Sequence, residues 1–209
     1  MKINSKNIPI YYLNPDSSDF DYRRQNMEKL LPSLEMSYER FPSNDTSTER
    51  IVRVCVGQTN LFNYAIQKNV FPFLFLEDDV ELNCKIPQYI NIPEESNIIY
   101  WGASTYECGA FKENLKIVDY DVDYYKIENS LSTHAFLIPS LKSALYYLTI
   151  LKKAIDTKSY MDIILAIDSK NQLFLTPKDG PYFYQNDPHT KPITKFLWSD
   201  IYSSQENIK

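Results

Sequence analysis

Hydrophobic positions along the chain fall into short runs set between polar segments, and their spacing alternates between strand and helix periods. The most apolar run is residues 71–76, Phe-Pro-Phe-Leu-Phe-Leu. It is short, rich in aromatics, and bounded by Pro72 and by acids, which predicts a central strand buried on both faces. Residues 8–13, 98–101 (ending at Gly102), 135–138 and 172–175 read as further strands, and residues 119–127 alternate enough to make another. Helical spacing appears over 19–31, where Tyr22, Met27, Leu30 and Leu31 can share a face before Pro32 interrupts. It returns over 59–69 through Leu61, Phe62, Ala65 and Ile66, and over 159–166 through Met161, Ile164 and Leu165. Residues 140–154 carry a stripe of Leu141, Leu145, Leu148 and Leu151 or Ile155, with Ser140 as N-cap after Pro139. Residues 51–56 suit either a strand or the start of the next helix. Residues 38–48 are polar, with Pro42, Ser43 and Asn44, and read as a loop.

Strands alternating with helices predict an α/β layer fold, with a mostly parallel central sheet between helices. No internal repeat and no low-complexity linker divides the chain. Its 209 residues suit one domain, either a whole protein or one domain of a longer polypeptide.

Composition narrows the function classes. The net charge of −5 argues against a nucleic-acid backbone as partner, which would call for a basic face. With only 4 Gly, no Gly-rich phosphate loop can be drawn. The 17 Tyr suit a half-buried amphipathic rim, or a cleft where rings stack on sugars. Cys55, Cys84 and Cys108 are far apart and include no C-x-x-C pair, so a zinc site or disulfide framework is not expected, and free thiols fit a reducing compartment. Residues 1–7 lack a signal-peptide core, and no apolar run approaches a membrane span. The expectation is a cytoplasmic protein.

The chemistry gathers at Glu77-Asp78-Asp79, directly after Phe73-Leu74-Phe75-Leu76. A buried strand that delivers acids at its carboxyl end is costly unless something cationic sits there. Ligands of open α/β sheets bind at those carboxyl ends. Oxygen ligands suit Mg²⁺ or Mn²⁺, so the physical reading is a metal bridging Asp79 to a diphosphate. From spacing alone, an acidic turn exposed to solvent fits as well.

The segment from Phe73 through Asp79 to Leu82 resembles the acidic D-x-D region of GT-A glycosyltransferases, in an E-D-D form. It is similar in particular to lipopolysaccharide-type (family 25-like) glycosyltransferases, whose strand ends in LEDDV. The ordered set also resembles the small glycosyltransferase domains of chlorella viruses. Residues 56–66 stand in the place of the family's G-x-x-x-S-H helix, without its Ser-His pair; residues 131–140 resemble its T-x-A-Y-x-I-S strand. The resemblance spans roughly residues 8–190. It implies Mn²⁺ or Mg²⁺ held by Asp79, Glu77 and Asp78 facing the ribose or donor sugar, Asn14 and its surroundings against uracil and ribose, and Arg23 on the nucleotide side. The implied partners are a UDP-sugar donor and a glycan acceptor, in the host cytoplasm if the protein is viral.

Other residues join the site by chemistry. His189, in a polar loop after the last strand, is the candidate for a further metal ligand, and Lys191 and Lys195 can neutralise phosphate when that loop closes. Asp162, in the first turn of a helix, either favours the helix dipole or serves on the acceptor side, as a base for the attacking hydroxyl or as a holder of it. Arg24 shares Arg23's helix. His134 opens an apolar strand and reads as a satisfied, half-buried side chain. Asp119, Asp121 and Asp123 alternate and would share one face of a strand. Two other functions compete with sugar transfer: another metal-dependent enzyme on nucleotides, such as a nucleotidyltransferase or phosphohydrolase, and a non-catalytic carbohydrate-binding domain.

Overall fold

The computed structural model describes residues 1–43, 49–102, 115–131 and 133–185. The chain begins with β1 (Lys2–Asn4) and β2 (Ile10–Leu13), followed by α1 (Asp21–Ser33), β3 (Tyr38–Phe41), α2 (Arg50–Lys68) and β4 (Phe73–Glu77). Three strands come next, β5 (Val80–Leu82), β6 (Tyr89–Asn91) and β7 (Ile98–Gly102), and then the pair β8 (Lys116–Asp119) and β9 (Tyr124–Glu128). Last are β10 (Ala135–Ile138), α3 (Leu141–Thr157), α4 (Met161–Asp168), β11 (Phe174–Pro177) and β12 (Phe183–Gln185).

The main sheet runs β3-β2-β4-β10-β7-β11-β9-β8, with β12 and β5 branching from β7. Its first three strands are parallel, but β10 is antiparallel to both β4 and β7, and β9 is antiparallel to both β11 and β8. The sheet is therefore mixed and largely antiparallel, which corrects the expectation of a mostly parallel one. The reason lies in the connections. The crossovers through α1 and α2 keep β2, β3 and β4 parallel, whereas α3 and α4 join β10 to β11, which run in opposite directions, and β8 and β9 form a hairpin; of the later strands β11 and β12 are parallel to β7.

Burial divides the sheet by parity. Tyr11, Phe73, Phe75, Tyr100 and Phe136 face one layer, together with α2, α3 and α4. Tyr12, Leu74, Leu76, Trp101 and Leu137 face the other, with Met27 and Leu31 of α1. Successive strand side chains alternate faces, so a strand apolar throughout fills both layers. β4 does this, lying between β2 and β10 as predicted for a central strand.

Local chemistry explains the other differences. Residues 51–56 open α2, whose β-branched start is a weak helix former by propensity and is held helical by packing of Cys55, Leu61, Phe62 and Ala65 on the sheet; the helix stops at Asn69 in the left-handed conformation. A Cβ at Gly57 would meet the Leu13 side chain at 3.1 Å, so the glycine lets the helix lie close on β2. Pro32 lies inside α1, near its end, and does not break it. Residues 38–41, expected as loop, are an edge strand beside β2; residues 44–48 lie outside the described residues. Residues 119–127 are not one strand but the hairpin of β8 and β9. Asp119, Asp121 and Asp123 therefore form no acidic strand face: Asp121 accepts from the backbone N–H of Asp123 and Tyr124 at 2.8 and 2.7 Å, holding the turn.

Candidate functional site

β2 is the switch point of the parallel part of the sheet. The chain leaves it through α1 on one face to reach β3 on one side, and returns through α2 on the other face to β4 on its other side. A crevice outside the carboxyl ends of such strands is the natural ligand position in open α/β sheets. Here it is a cleft of about 1070 Å³, walled by Leu13 and Pro15 after β2, Glu77–Asp79 after β4, the first turns of α2, and Tyr160–Asp162 at the start of α4.

The three acids do not act as a block. Glu77 continues the alternation of Phe73 and Phe75 and so belongs to the α2–α4 side of the sheet. The Thr133 hydroxyl donates to its Oε1 at 2.9 Å. Desolvation first, then the charges of Asp79, Asp78 and Asp162, push its pKa up to about 8, against the lowering effect of Thr133. Asp78 belongs to the α1 side, with Asn14 Nδ2 donating to Oδ2 at 2.7 Å and Arg23 Nη1 to Oδ1 at 2.9 Å. The same Arg23 nitrogen lies 3.1 Å from Asp79 Oδ2, which also accepts from Gln185 Nε2 at 3.0 Å. Both aspartates are almost fully buried, at 6% and 7% exposure, and Arg23 is the cation that makes this tolerable. Asn14 is fixed in turn by Arg40, whose Nε donates to its Oδ1 at 3.0 Å.

The structure thus brings together Arg23, Glu77, Asp78, Asp79 and Asp162 around one cleft, with Asn14 buried against Asp78 and not itself on the cleft wall. Asp162 lies across from Glu77, in the first turn of α4. Burial raises its carboxyl pKa, against the lowering hydrogen bond from Ile163 N. Arg24 is not part of this set: it pairs with Asp21 and Glu28 on the outer face of α1. His134 is almost wholly buried, and that burial lowers its pKa to about 4, so it is neutral at neutral pH. His189, Lys191, Lys195 and Cys108 lie outside the described residues.

Sequence reasoning missed several lining residues: Arg50, Arg53 and Gln58 of α2, Thr133, and Gln185 of β12. The spacing of 50, 54 and 58 marks one helix face, but nothing in that pattern separates a cleft wall from a solvated surface.

The donor set fits a hard divalent cation that takes one or two carboxylates and completes its shell from phosphate and water. Among the described residues no three carboxylate, imidazole or thiolate groups converge into a cage. An ion at Asp79 would share that carboxylate with Arg23.

No protein-family model matches the chain, and no curated protein does. Among solved structures it is similar to "a glycosyltransferase involved in the glycosylation of the major capsid of PBCV-1", with a TM-score of 0.50 and 14% identity over 76% of this chain and 74% of that one. A second structure, A197 from STIV, aligns at a TM-score of 0.44 and 13% identity, over 90% of this chain and 98% of that one. The first likeness shows a glycosyltransferase-like fold. It does not extend to the lipopolysaccharide-type family that the motifs resemble. No helix among the described residues is long and apolar enough to cross a membrane.

Proposed function

We propose that the chain is a metal-dependent glycosyltransferase of GT-A type. It would move a hexose or deoxyhexose from a nucleoside-diphosphate sugar, UDP being the proposed nucleotide, to a glycan hydroxyl. One observation carries the reading: buried acids at the carboxyl end of β4, beside the switch point, open onto a cleft of about 1070 Å³. A surface turn would need neither the burial nor the cation that offsets it. The glycosyltransferase-like fold supports the same reading.

In this proposal Asp79 holds Mn²⁺ or Mg²⁺, which would neutralise the leaving nucleoside diphosphate. Asn14 and Asp78 sit on the nucleotide side, and Arg23 adds a fixed positive charge beside the diphosphate. Glu77 faces the donor sugar. Asp162, desolvated and across the cleft, takes the proton of the attacking hydroxyl or holds that hydroxyl in place. His189 and Lys191 are proposed as metal ligand and phosphate partner from the chain's last segment.

Calorimetric titration tests the proposal. UDP should bind with Mn²⁺ present, and chelator or Asp79→Ala should abolish the binding. A glycan bound tightly without metal, with no UDP binding, would sink it in favour of a carbohydrate-binding domain. Phosphate release from nucleotides without sugar transfer would point to a phosphohydrolase.

A further inference from the structure

The α2 side of the cleft holds a polar group the proposal above does not use. Gln58 is wholly buried, yet it lines the cleft floor beside Met161 and Asp162. The Tyr147 hydroxyl donates to its Oε1 at 2.7 Å and lies 3.7 Å from Met161 Sδ. That bond fixes the amide, and it leaves Nε2 without a partner. Buried donors are nearly always satisfied, so an unsatisfied one on a residue that lines a cleft marks a place where a polar guest belongs.

We infer that this floor is a sugar-hydroxyl subsite, in which Gln58 Nε2 donates to a pyranose hydroxyl that itself donates to Asp162. The chemistry matches at both ends, because a hydroxyl both accepts and donates, while Gln58 offers only a donor and Asp162 an acceptor. The rest of the surroundings suits a sugar. Tyr160, 54% exposed, lines the cleft next to Asp162 and offers a ring to an apolar sugar face. Ile51, Val54 and Leu131 complete an apolar wall. The nucleotide side, at Asn14, Arg23 and Asp78, lies across the sheet on the α1 face, so Gln58 acts on the sugar and not on the base or ribose. The inference rests on the glycosyltransferase reading for the source of the sugar, either the donor's hexose or the acceptor's.

Two arms separate these sources. UDP, UDP-glucose, UDP-galactose and UDP-N-acetylglucosamine are titrated calorimetrically with MnCl₂ into the full chain. Methyl glycosides are followed by saturation-transfer NMR, with and without UDP. Wild type is compared with Gln58→Leu and with Gln58→Met, whose unbranched thioether fills the same space, accepts weakly from Tyr147, carries no donor, and keeps the test informative should the leucine form fail to fold. Both variants should bind UDP as wild type does and lose about tenfold in affinity for a sugar probe. Loss on the UDP-sugars assigns the donor sugar, and loss on the methyl glycosides assigns the acceptor. Unchanged affinity for every sugar probe, or no sugar bound by wild type, overturns the inference. Gln58-dependent glycoside binding by a protein that does not bind UDP upholds the subsite and overturns the transferase.

Discussion

The pairing of Arg23 with Asp78 and Asp79 is the most consequential contact at the residue scale. Removing one partner of a buried ion pair leaves an uncompensated charge, so Arg23→Met should lower stability by about 3 kcal/mol in urea unfolding. If Asp79 holds a cation, Mn²⁺ should restore more of that loss in the variant than it adds to wild type. Equal Mn²⁺ effects in both would count against a metal at these acids. Glu77 and His134 give the pH dependence. Folding raises Glu77 from 4.5 to about 8, so the native state binds that proton more tightly. The resulting stability is complete below 4.5 and is lost as pH rises towards 8. Folding lowers His134 from 6.5 to about 4, so its contribution is complete above 6.5 and is lost as pH falls towards 4. The two slopes oppose each other between 4.5 and 6.5, leaving Glu77 alone above that range. The metal-free protein should therefore lose thermal stability between pH 6.5 and 8, and Glu77→Gln should flatten that limb; a limb unchanged in the variant would refute the assignment.

At the scale of elements, α3 shows what periodicity can and cannot decide. The helix forms as its spacing predicts, and Ser140 caps it, its side chain accepting from Ser143 N at 3.3 Å. The buried face matches the expected stripe only in its second half, where Leu151 is buried and Leu148 and Ile155 pack against the core. Leu141 and Leu145 are 43% and 50% exposed, whereas Ala144, Tyr147, Leu151 and Ala154 are buried. The surface beneath explains the rotation: Tyr147 stacks on Phe62 at 4.6 Å, and small alanines let the helix settle over the aromatic face of the sheet. A leucine stripe states that a helix is amphipathic, but the shape of the partner chooses the face. Leu145→Lys should accordingly change stability by about 0.5 kcal/mol or less, and Leu151→Ala should cost about 2–5 kcal/mol in urea unfolding. Comparable losses for both would put Leu145 on the core face as well. Gly102 on β7 makes a similar point. A Cβ there would lie 2.4 Å from His134 Nε2 and 2.9 Å from the Phe183 carbonyl oxygen, so Gly102→Ala should destabilise by about 1–3 kcal/mol. Sequence reading marks this glycine only as the end of a strand, because the close approach comes from strands far away in the chain.

For the whole molecule, the cleft joins the ends of β2 and β4 with the starts of α2, α4 and β10, so its occupancy should be felt globally. UDP with Mn²⁺ at a hundred times the dissociation constant should add about 2.7 kcal/mol to stability, read as a rise in thermal midpoint. No rise with either UDP or Mn²⁺ would remove the case for a nucleotide site. By itself the sequence determined the strands and helices with strong periods, the central place of β4, and the delivery of Glu77, Asp78 and Asp79 to its carboxyl end, since burial of apolar runs and the cost of acids at their end are local properties. Only the tertiary structure decided the mixed sheet, because strand direction depends on how connections cross and not on any strand's own pattern. It alone parted Glu77 from Asp78 across the sheet, set Arg23 on the aspartates, and turned Gln58 into the floor of the cleft. Those are facts about which distant segments meet, and the spacing of residues along a chain carries no record of that meeting.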